Sequence, residues 1–328
     1  MQIGNQTLRN HFALAPMAGL SDVPFRTMAW RMGAGYMVSE MLSSKPELWE
    51  SGKSRLRRIP VPGVNPLTIQ IAGTDPLVMA EAARRHVDDG VQIIDINFGC
   101  PAKKVCRKSA GSALLGDIKL IGRIVSAVSQ AVVVPVTVKT RVGLVVGDDL
   151  GIEAGRVAVD NGAQMVVMHG RSRACKFNGR ADYDPVRRLK SMVSVPVLVN
   201  GDIESTVQAE FALAASGADG VMIGRGALGQ PWIFSELTGQ ALPNLQQKWA
   251  LIMEHVQLMH EFYGEEGGVR IARKHVIAYL QRLGCSGRVR EFVKLDGASA
   301  QLDWLAFVAE QQLQVSEGNA DSAQLHAA

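Results

Sequence analysis

The chain of 328 residues is poor in cysteine and nearly balanced in charge. Its cysteines, Cys100, Cys106, Cys175 and Cys285, form no C-x-x-C pair and have no histidine partners at metal-ligand spacing. This pattern argues against both a zinc site and a disulfide framework, so we expect reduced thiols and no metal. With a net charge of only +4, any basic surface has to arise from local clustering.

The sequence also lacks the marks of export and of membrane insertion. Its first residues show neither a basic segment nor an apolar segment of the signal-peptide type. No apolar run approaches the length of a membrane span. We therefore expect a cytoplasmic protein with no membrane partner. A monomeric state in isolation is a separate expectation.

What the sequence does contain is a regular alternation of apolar runs and helical segments. Both faces of the predicted strands are apolar, which is typical of buried parallel strands. The strands are predicted at 11–15, 36–39, 67–71, 93–97, 134–139, 164–169, 195–200 and 220–224, with helices at 76–89, 118–130, 152–161, 185–192 and 205–216. Such repetition favours an α/β fold of the TIM (β/α)8 barrel type. A doubly wound open sheet is the alternative, although no G-x-G-x-x-G follows the first strand.

The character of the chain changes after the last predicted strand. A plausible linker covers 239–244, and apolar residues then recur at helical spacing without convincing strands. This pattern predicts a small C-terminal all-α bundle of three or four helices. The expected domains are a barrel at 1–240, a helical domain at 241–315 and a disordered tail at 316–328.

The fourth predicted strand ends at an unusual turn, Gly99-Cys100-Pro101. Gly99 allows the chain to turn and Pro101 prevents the strand from continuing. Cys100 is thereby placed at the carboxyl edge of the sheet, where α/β folds bind ligands. A lone cysteine is often only a small buried residue, but two lysines follow here, and we favour an exposed, reactive thiol.

Polar or glycine-rich segments stand at the ends of most other predicted strands. Asn200-Gly201-Asp202 and Gly224-Arg225-Gly226 follow the last two strands, where TIM barrels hold phosphate. Alternatively, these glycines only make turns.

Lys139 and His169 also end strands, and near a flavin they could stabilise negative charge on its reduced ring. The alternatives are an internal salt bridge or a Schiff base for Lys139 and a core role for His169.

Basic residues cluster in three parts of the chain. The loops after strands four and six should open on the same face, and a third run lies in the helical region. The clusters include Lys103, Lys104 and Arg107, then Arg171 and Arg173, and finally Arg270, Arg273 and Lys274. Charged runs are usually just solvated surface, but their convergence favours a polyanionic partner.

Several motifs carry a resemblance to a known family. They are Ala15-Pro16-Met17-Ala18-Gly19, Val38-Ser39-Glu40-Met41, Gln70-Ile71-Ala72-Gly73, Asp95-Ile96-Asn97 with Gly99-Cys100-Pro101-Ala102-Lys103-Lys104, His169-Gly170-Arg171, Asn200-Gly201-Asp202-Ile203, Met222-Ile223-Gly224-Arg225 and Arg270-Ile271-Ala272-Arg273-Lys274-His275. The motifs resemble those of the tRNA-dihydrouridine synthases, most closely the bacterial B-type branch, over roughly residues 1–310. One departure is Arg141-Val142-Gly143-Leu144, where the family often shows Arg-Thr-Gly-Trp.

The resemblance implies a flavin-binding TIM barrel, bound FMN, NADPH as reductant and tRNA as substrate. Cys100 would donate a proton as the C5–C6 bond of uridine is reduced, and Asn97 would hold the uracil edge. The implied cofactor contacts are Pro16, Met17 and Ala18 beside the flavin, Gln70, Lys139 and His169 at its ring, and Asn200, Gly201, Asp202, Gly224 and Arg225 at its phosphate. The basic clusters would grip the tRNA.

Two other functions stay open at this point. A barrel flavoenzyme that acts on a small molecule would not need the basic loops or the helical domain. A non-catalytic RNA-binding protein would not need Cys100, Lys139 and His169 together.

Overall fold

A computed structural model of the chain describes residues 1–107 and 109–325, without the side chains of Lys104 and of residues 316–325. The chain divides into two compact units, Met1–Ala227 and Leu228–Ala328. Among the described helices, none combines the length and apolar character that a membrane span requires.

The first unit carries the strands that the sequence predicts, together with short additional ones. Its strands are β1 (Gln2–Ile3), β2 (Gln6–Thr7), β3 (Phe12–Leu14), β4 (Tyr36–Met37), β5 (Leu42–Ser43), β6 (Thr68–Ala72), β7 (Ile93–Asn97), β8 (Val136–Arg141), β9 (Met165–His169), β10 (Val197–Asn200) and β11 (Gly220–Ile223). Its helices are α1 (Val23–Arg31), α2 (Gly52–Arg58), α3 (Pro76–Asp88), α4 (Lys103–Cys106), α5 (Ile118–Ala131), α6 (Leu150–Asp160), α7 (Asp184–Met192) and α8 (Thr206–Ser216).

The strands from β3 to β11 form one parallel sheet that closes on itself. Its order is β4-β3-β11-β10-β9-β8-β7-β6-β5. The two terminal strands, β4 and β5, are the two ends of one continuous run, 36–43. Between them, the Ser39 N–H donates to the Thr68 carbonyl at 3.1 Å, which joins this run to β6. The predicted TIM barrel is therefore confirmed, with its second strand split into two pieces.

An N-terminal hairpin that the sequence analysis did not predict closes the base of the barrel. Strands β1 and β2 pair antiparallel. Gly4 lies against Pro135 and Gln164, which precede β8 and β9, so the hairpin covers the amino ends of the strands. Ile3 and Leu8 are buried in one cluster with the interior side chains of the barrel. The base is therefore filled with apolar side chains, and a ligand site is expected at the opposite end.

Local sequence signals explain why the helix starts were well predicted. Before α3, the Asp75 carboxylate accepts the Leu77 and Val78 N–H groups at 2.9 and 3.0 Å, and Pro76 occupies the first helical position. Asp117 and Ser205 cap α5 and α8 in the same manner. These side chains satisfy backbone donors that have no partner within the helix.

The second unit is helical throughout its described part. It contains α9 (Ile233–Leu237), α10 (Leu245–Arg282), α11 (Val289–Phe292) and α12 (Ala298–Leu325). Asn244 and Gln247 form a capping box at the start of α10. Gly264, with φ 72° and ψ 172°, interrupts α10 and divides it into two helical segments. The predicted helical bundle after the barrel is confirmed.

The chain leaves the barrel earlier than composition suggests. The Trp232 ring stacks on Tyr279 with centroids 6.0 Å apart. At Gly229, an added Cβ would lie 2.3 Å from the Ala278 carbonyl oxygen, so the backbone packs closely against α10. Residues from Leu228 onward thus belong to the second compact unit, ahead of the linker predicted at 239–244. The predicted tail at 316–328 overlaps α12 up to Leu325, and residues 326–328 lie outside the described residues.

Candidate active site

A cavity of about 630 Å³ opens at the carboxyl ends of the barrel strands. Its volume falls within the range of small-molecule and cofactor sites. All the residues that the resemblance assigns to the cofactor line it, and so do Cys100, Asn97, Lys103 and Arg171. The lining cofactor candidates are Pro16, Met17, Ala18, Gln70, Lys139, His169, Asn200, Gly201, Asp202, Gly224 and Arg225.

The loop after β3 is fixed by two hydrogen bonds to its backbone. The Met17 N–H donates to the Ser21 Oγ at 2.6 Å, and the Gly19 N–H donates to the Glu40 Oε1 at 2.6 Å. Glu40 is buried and also lies 3.3 Å from an Arg57 nitrogen. Pro16, Met17 and Ala18 therefore present a shaped, largely apolar wall to the cavity.

Strand register places three polar side chains next to one another in the barrel wall. Gln70 pairs with Asp95, and Asp95 pairs with Thr137 on the following strand. The Asp95 carboxylate accepts the Gln70 Nε2 at 2.7 Å and the Thr137 hydroxyl at 2.6 Å. Burial raises the pKa of Asp95 to about 6, so the group is ionised at neutral pH. As a carboxylate it only accepts, and Gln70 must therefore turn its NH2 group towards it.

The orientation of the Gln70 amide in turn fixes the orientation of Asn97, which holds the loop that carries Cys100. With its NH2 turned to Asp95, Gln70 offers its Oε1 to the Asn97 Nδ2 at 2.7 Å. The Asn97 Oδ1 then accepts the N–H groups of Gly99 at 3.1 Å and of Cys100 at 2.9 Å. The buried carboxylate thus fixes the amide orientations as far as the Cys100 backbone. Among the described residues, Asn97 uses one Nδ2 hydrogen for Gln70, which leaves the other for a ligand.

Cys100 is half-buried at the mouth of the cavity. Its carbonyl accepts the Ser112 N–H at 3.1 Å and the Ser112 hydroxyl at 2.8 Å. At Gly111, with φ +63°, a Cβ would lie 2.9 Å from the same carbonyl. Burial raises the pKa of the Cys100 thiol above its usual value. The group is therefore a neutral thiol at pH 7 and can donate a proton.

Lys139 is half-buried beside this cluster and donates its Nζ to the Asn200 Oδ1 at 3.0 Å. Burial, and then the charge of Arg141, lower the pKa of Lys139 to about 8. Asn200 in turn donates its Nδ2 to the Met222 carbonyl at 2.7 Å, which fixes its oxygen towards the lysine.

His169 is neutral at pH 7, so it could stabilise negative charge on a ring only through a hydrogen bond. Burial, followed by the charges of Lys139 and Arg141, holds its pKa well below the ordinary value. Its Nε2 lies 3.5 Å from the Arg171 guanidinium. His169 can therefore offer a hydrogen bond, and Lys139 carries the charge.

The turn after β10 is held by its own aspartate. The Asp202 carboxylate pairs with the Arg171 guanidinium and accepts the Ala181 N–H at 2.7 Å. Gly201 adopts φ +122°, and a Cβ there would lie 3.0 Å from His169. The carboxylate of Asp202 is thus occupied within the protein. An anion bound at this turn would contact mainly backbone N–H groups.

The structure separates the predicted basic residues into different classes. In the first unit, Lys103 lines the cavity and Arg107 is exposed, whereas the side chain of Lys104 lies outside the described part. Arg171 is only 4% exposed and serves as an internal brace. Arg173 is half-buried and is absent from the described cavity lining.

The remaining predicted basic residues lie on α10 of the second unit. Arg270 and Lys274 are exposed and four residues apart, on one side of the helix. Arg273 is half-buried and pairs with Asp296 at 2.6 Å and with the Leu295 carbonyl at 3.0 Å. Arg270 and Lys274 therefore stay available to a partner, while Arg273 is engaged within its unit.

Sequence reasoning missed three residues of this site. Asp95 lies two residues before Asn97 on the same face of β7, a charge in the middle of an apolar strand that could have been noticed. Arg141 likewise follows Lys139 by two positions on β8. Phe177 lines the cavity but sits in a loop without any distinguishing pattern.

Comparison with known proteins agrees with this geometry. The sequence model described as Dihydrouridine synthase (Dus) matches residues 13–311. The chain belongs to the dihydrouridine synthase family. Among family members, proteins named tRNA-dihydrouridine synthase B from Salmonella typhimurium and Escherichia coli K12 are each 50% identical over 315 residues, covering 93% of this chain and 98% of theirs. The one from Pseudomonas syringae pv. tomato is 48% identical over 309 residues and covers 92% of both chains.

Solved structures extend the likeness of fold beyond the dihydrouridine synthase family. A morphinone reductase variant in complex with tetrahydroNAD superposes with a TM-score of 0.56, covering 76% of this chain and 92% of that one. At 12% sequence identity, this likeness concerns the fold alone.

Proposed function

We propose that this protein is an FMN-dependent tRNA-dihydrouridine synthase, which reduces the C5–C6 bond of uridine in tRNA at the expense of NADPH. The observation that carries the proposal is that one neutral thiol, Cys100, shares a single cavity with a crowded set of cationic and amide donors. Membership of the dihydrouridine synthase family and the names of the similar proteins point the same way.

The donor set of the cavity fits an anionic, flat cofactor. Lys139, Arg141 and Arg225 face the same space, and the pKa values of Lys139, His169 and Arg141 are lowered first by burial and then by the charges of neighbouring cations. A bound phosphate would relieve the repulsion between these cations. The Gln70 amide would hold the polar edge of a ring, and Asn200, Gly201, Gly224 and Arg225 would bind the phosphate.

The reduction needs a hydride donor and a proton donor on the two carbons of the double bond. When bound, reduced FMN supplies a hydride to one carbon of the uracil double bond. The Cys100 thiol gives its proton to the other carbon, and the thiolate then recovers a proton from solvent. Asn97 keeps Cys100 in place through its Oδ1 and offers its remaining Nδ2 hydrogen to a uracil oxygen. Lys139 stabilises negative charge that develops near it.

The substrate base has to leave its stack within the folded tRNA to reach the cavity. Exposed cations such as Lys103, Arg107, Arg270 and Lys274 would hold the sugar–phosphate backbone. A cytoplasmic location, a monomeric state in isolation and the lack of a bound metal remain predictions that accompany this function.

The test is to measure dihydrouridine in tRNA from a strain that lacks the gene. Mass spectrometry should show loss of some dihydrouridine and its return with the wild-type gene. A Cys100→Ala gene should not restore it, although the purified variant should keep its flavin. The matched control is Cys175→Ala, which removes another half-buried thiol of the same unit and should restore the modification. Full restoration by Cys100→Ala would contradict the assigned role.

A further inference from the structure

We propose that Phe177 is a stacking surface for the base next to the uridine that is reduced. This inference rests on the proposed function and adds a specificity-determining contact to it. Phe177 lies in the loop between β9 and α7, lines the cavity and is 51% exposed. A large apolar ring is thus left open to solvent in a cavity that several cationic side chains also line.

The ring is flanked by cations. The Arg225 guanidinium carbon lies 4.6 Å from the centroid of the Phe177 ring, and that of Arg141 lies 5.7 Å from it. Both distances fall within the range of cation–π contact. An aromatic face beside two guanidinium groups is the combination that single-stranded nucleic acid sites use, because bases stack and phosphates pair with the cations.

The loop that carries Phe177 is braced by two buried arginines. Arg171 donates to the Asn178 carbonyl at 3.2 Å and to the Gly179 carbonyl at 2.6 Å. Arg141 donates to the Lys176 carbonyl at 2.9 Å. The carbonyls before and after Phe177 are thus both held. The ring is therefore pre-organised, which lowers the entropy cost of stacking a base on it.

The same brace connects Phe177 to the reactive thiol. The Nε of Arg141 donates to the Gly99 carbonyl at 2.8 Å, one residue before Cys100. A single guanidinium therefore touches the Cys100 loop, the carbonyl of the residue before Phe177 and the aromatic ring. While the target uracil is held beside Cys100, the nucleotide adjoining it would lie within reach of the Phe177 ring.

The experiment compares Phe177→Ala, Phe177→Leu and Phe177→Trp in the flavin-loaded full-length protein. Loss of the aromatic face in the Ala and Leu variants should weaken tRNA binding about 5- to 150-fold, which corresponds to the energy lost when stacking side chains are removed. Phe177→Trp keeps a π face and should bind like the wild type. Flavin content and NADPH-driven flavin reduction without tRNA should stay at wild-type levels in all three variants.

The matched control is Phe211→Ala, which removes another exposed phenylalanine of the same unit, on α8. That variant should bind tRNA like the wild type. A tRNA affinity unchanged in Phe177→Ala would overturn the proposal. A raised KM for NADPH with unchanged tRNA affinity would show that the ring contacts the reductant instead. Loss of flavin would show that the ring covers the cofactor.

The failure of the proposed function would look different. In that case the wild-type protein itself would neither bind tRNA nor form dihydrouridine.

Discussion

Arg141 donates its guanidinium Nε to the carbonyl oxygen of Gly99 at 2.8 Å, between the carboxyl ends of the neighbouring strands β8 and β7. The same guanidinium donates its NH1 to the carbonyls of Ser172 at 3.1 Å and Lys176 at 2.9 Å. Arg141 is only 3% exposed, so these contacts are made largely away from water. One side chain therefore couples the loop of the proposed proton donor to the loop that carries Phe177.

Replacing Arg141 by lysine should release both loops. A lysine ammonium cannot reproduce the planar fork that reaches three carbonyls, and each buried carbonyl left without a donor costs about 1–3 kcal/mol. We expect a lower free energy of unfolding in urea and faster alkylation of Cys100 by iodoacetamide. Arg188→Lys is the control, because Arg188 makes a surface ion pair with Asp149 and should change stability little. Unchanged stability and alkylation in Arg141→Lys would show that the brace is dispensable.

Substitutions at Asn97 should separate its two hydrogen-bonding roles. Asn97→Leu removes the acceptor for the Gly99 and Cys100 N–H groups, so alkylation of Cys100 should accelerate and dihydrouridine formation should fall about 10- to 100-fold. Asn97→Asp keeps that acceptor but loses both Nδ2 hydrogens, the one donated to Gln70 and the one proposed for the uracil oxygen. Its Cys100 loop should therefore stay in place, and Cys100 should react with iodoacetamide no faster than in the wild type, because the added negative charge disfavours the thiolate, while flavin binding weakens. Equal alkylation rates in wild type and Asn97→Leu would rule out positioning through Asn97.

The barrel was predictable because its signals are local. Apolar runs, helix caps such as Asp75 and turns such as Gly99-Cys100-Pro101 act over a few residues, and the structure follows them. What escaped prediction depends on contacts between distant parts of the chain. Asp95 acquires its meaning only when strand register places it between Gln70 and Thr137.

The same reasoning applies to the residues at the cavity mouth. That Lys139 and Cys100 share one cavity followed from their positions at strand ends. A basic run, in contrast, does not reveal that Arg171 braces its own loop instead of facing a polyanion. Charge alone does not distinguish a buried guanidinium from an exposed one. The neutral state of His169 likewise requires knowledge of the cations around it.

Binding of FMN should be linked to proton uptake at Lys139. The pKa of Lys139 is lowered to about 8, and an anion bound in the same cavity would raise it. Below pH 8 the lysine is already charged and affinity should be constant. As pH rises above 8, binding has to take up a proton, so the Kd for FMN should increase by at most about tenfold per pH unit.

Flavin fluorescence titrations between pH 6.5 and 9.5, with calorimetry in two buffers of different ionisation enthalpy, would measure this linkage. Lys139→Met should bind more weakly at pH 7 and should lose most of the pH dependence. Lys190→Met is the control. Lys190 pairs with Asp219, which precedes β11 and therefore lies at the amino end of the strand, away from the cavity. A Kd that stays constant across the whole range in the wild type would mean that Lys139 remains charged when no anion is bound.

The salt dependence of tRNA binding should distinguish exposed cations from engaged ones. When binding releases counterions, log Kd rises linearly with the logarithm of the salt concentration. Each lost phosphate contact reduces this slope by about 0.7–0.9. Arg270→Ala and Lys274→Ala should each lower the slope by roughly this amount, with little change in the free energy of unfolding. Arg273→Ala is the matched comparison on the same helix: it removes the contacts to Asp296 and the Leu295 carbonyl, so stability should fall while the slope changes less. If all three variants kept the wild-type slope, this face of α10 would not contact the tRNA backbone, and the grip would have to come from the cations around the barrel mouth, such as Lys103 and Arg107.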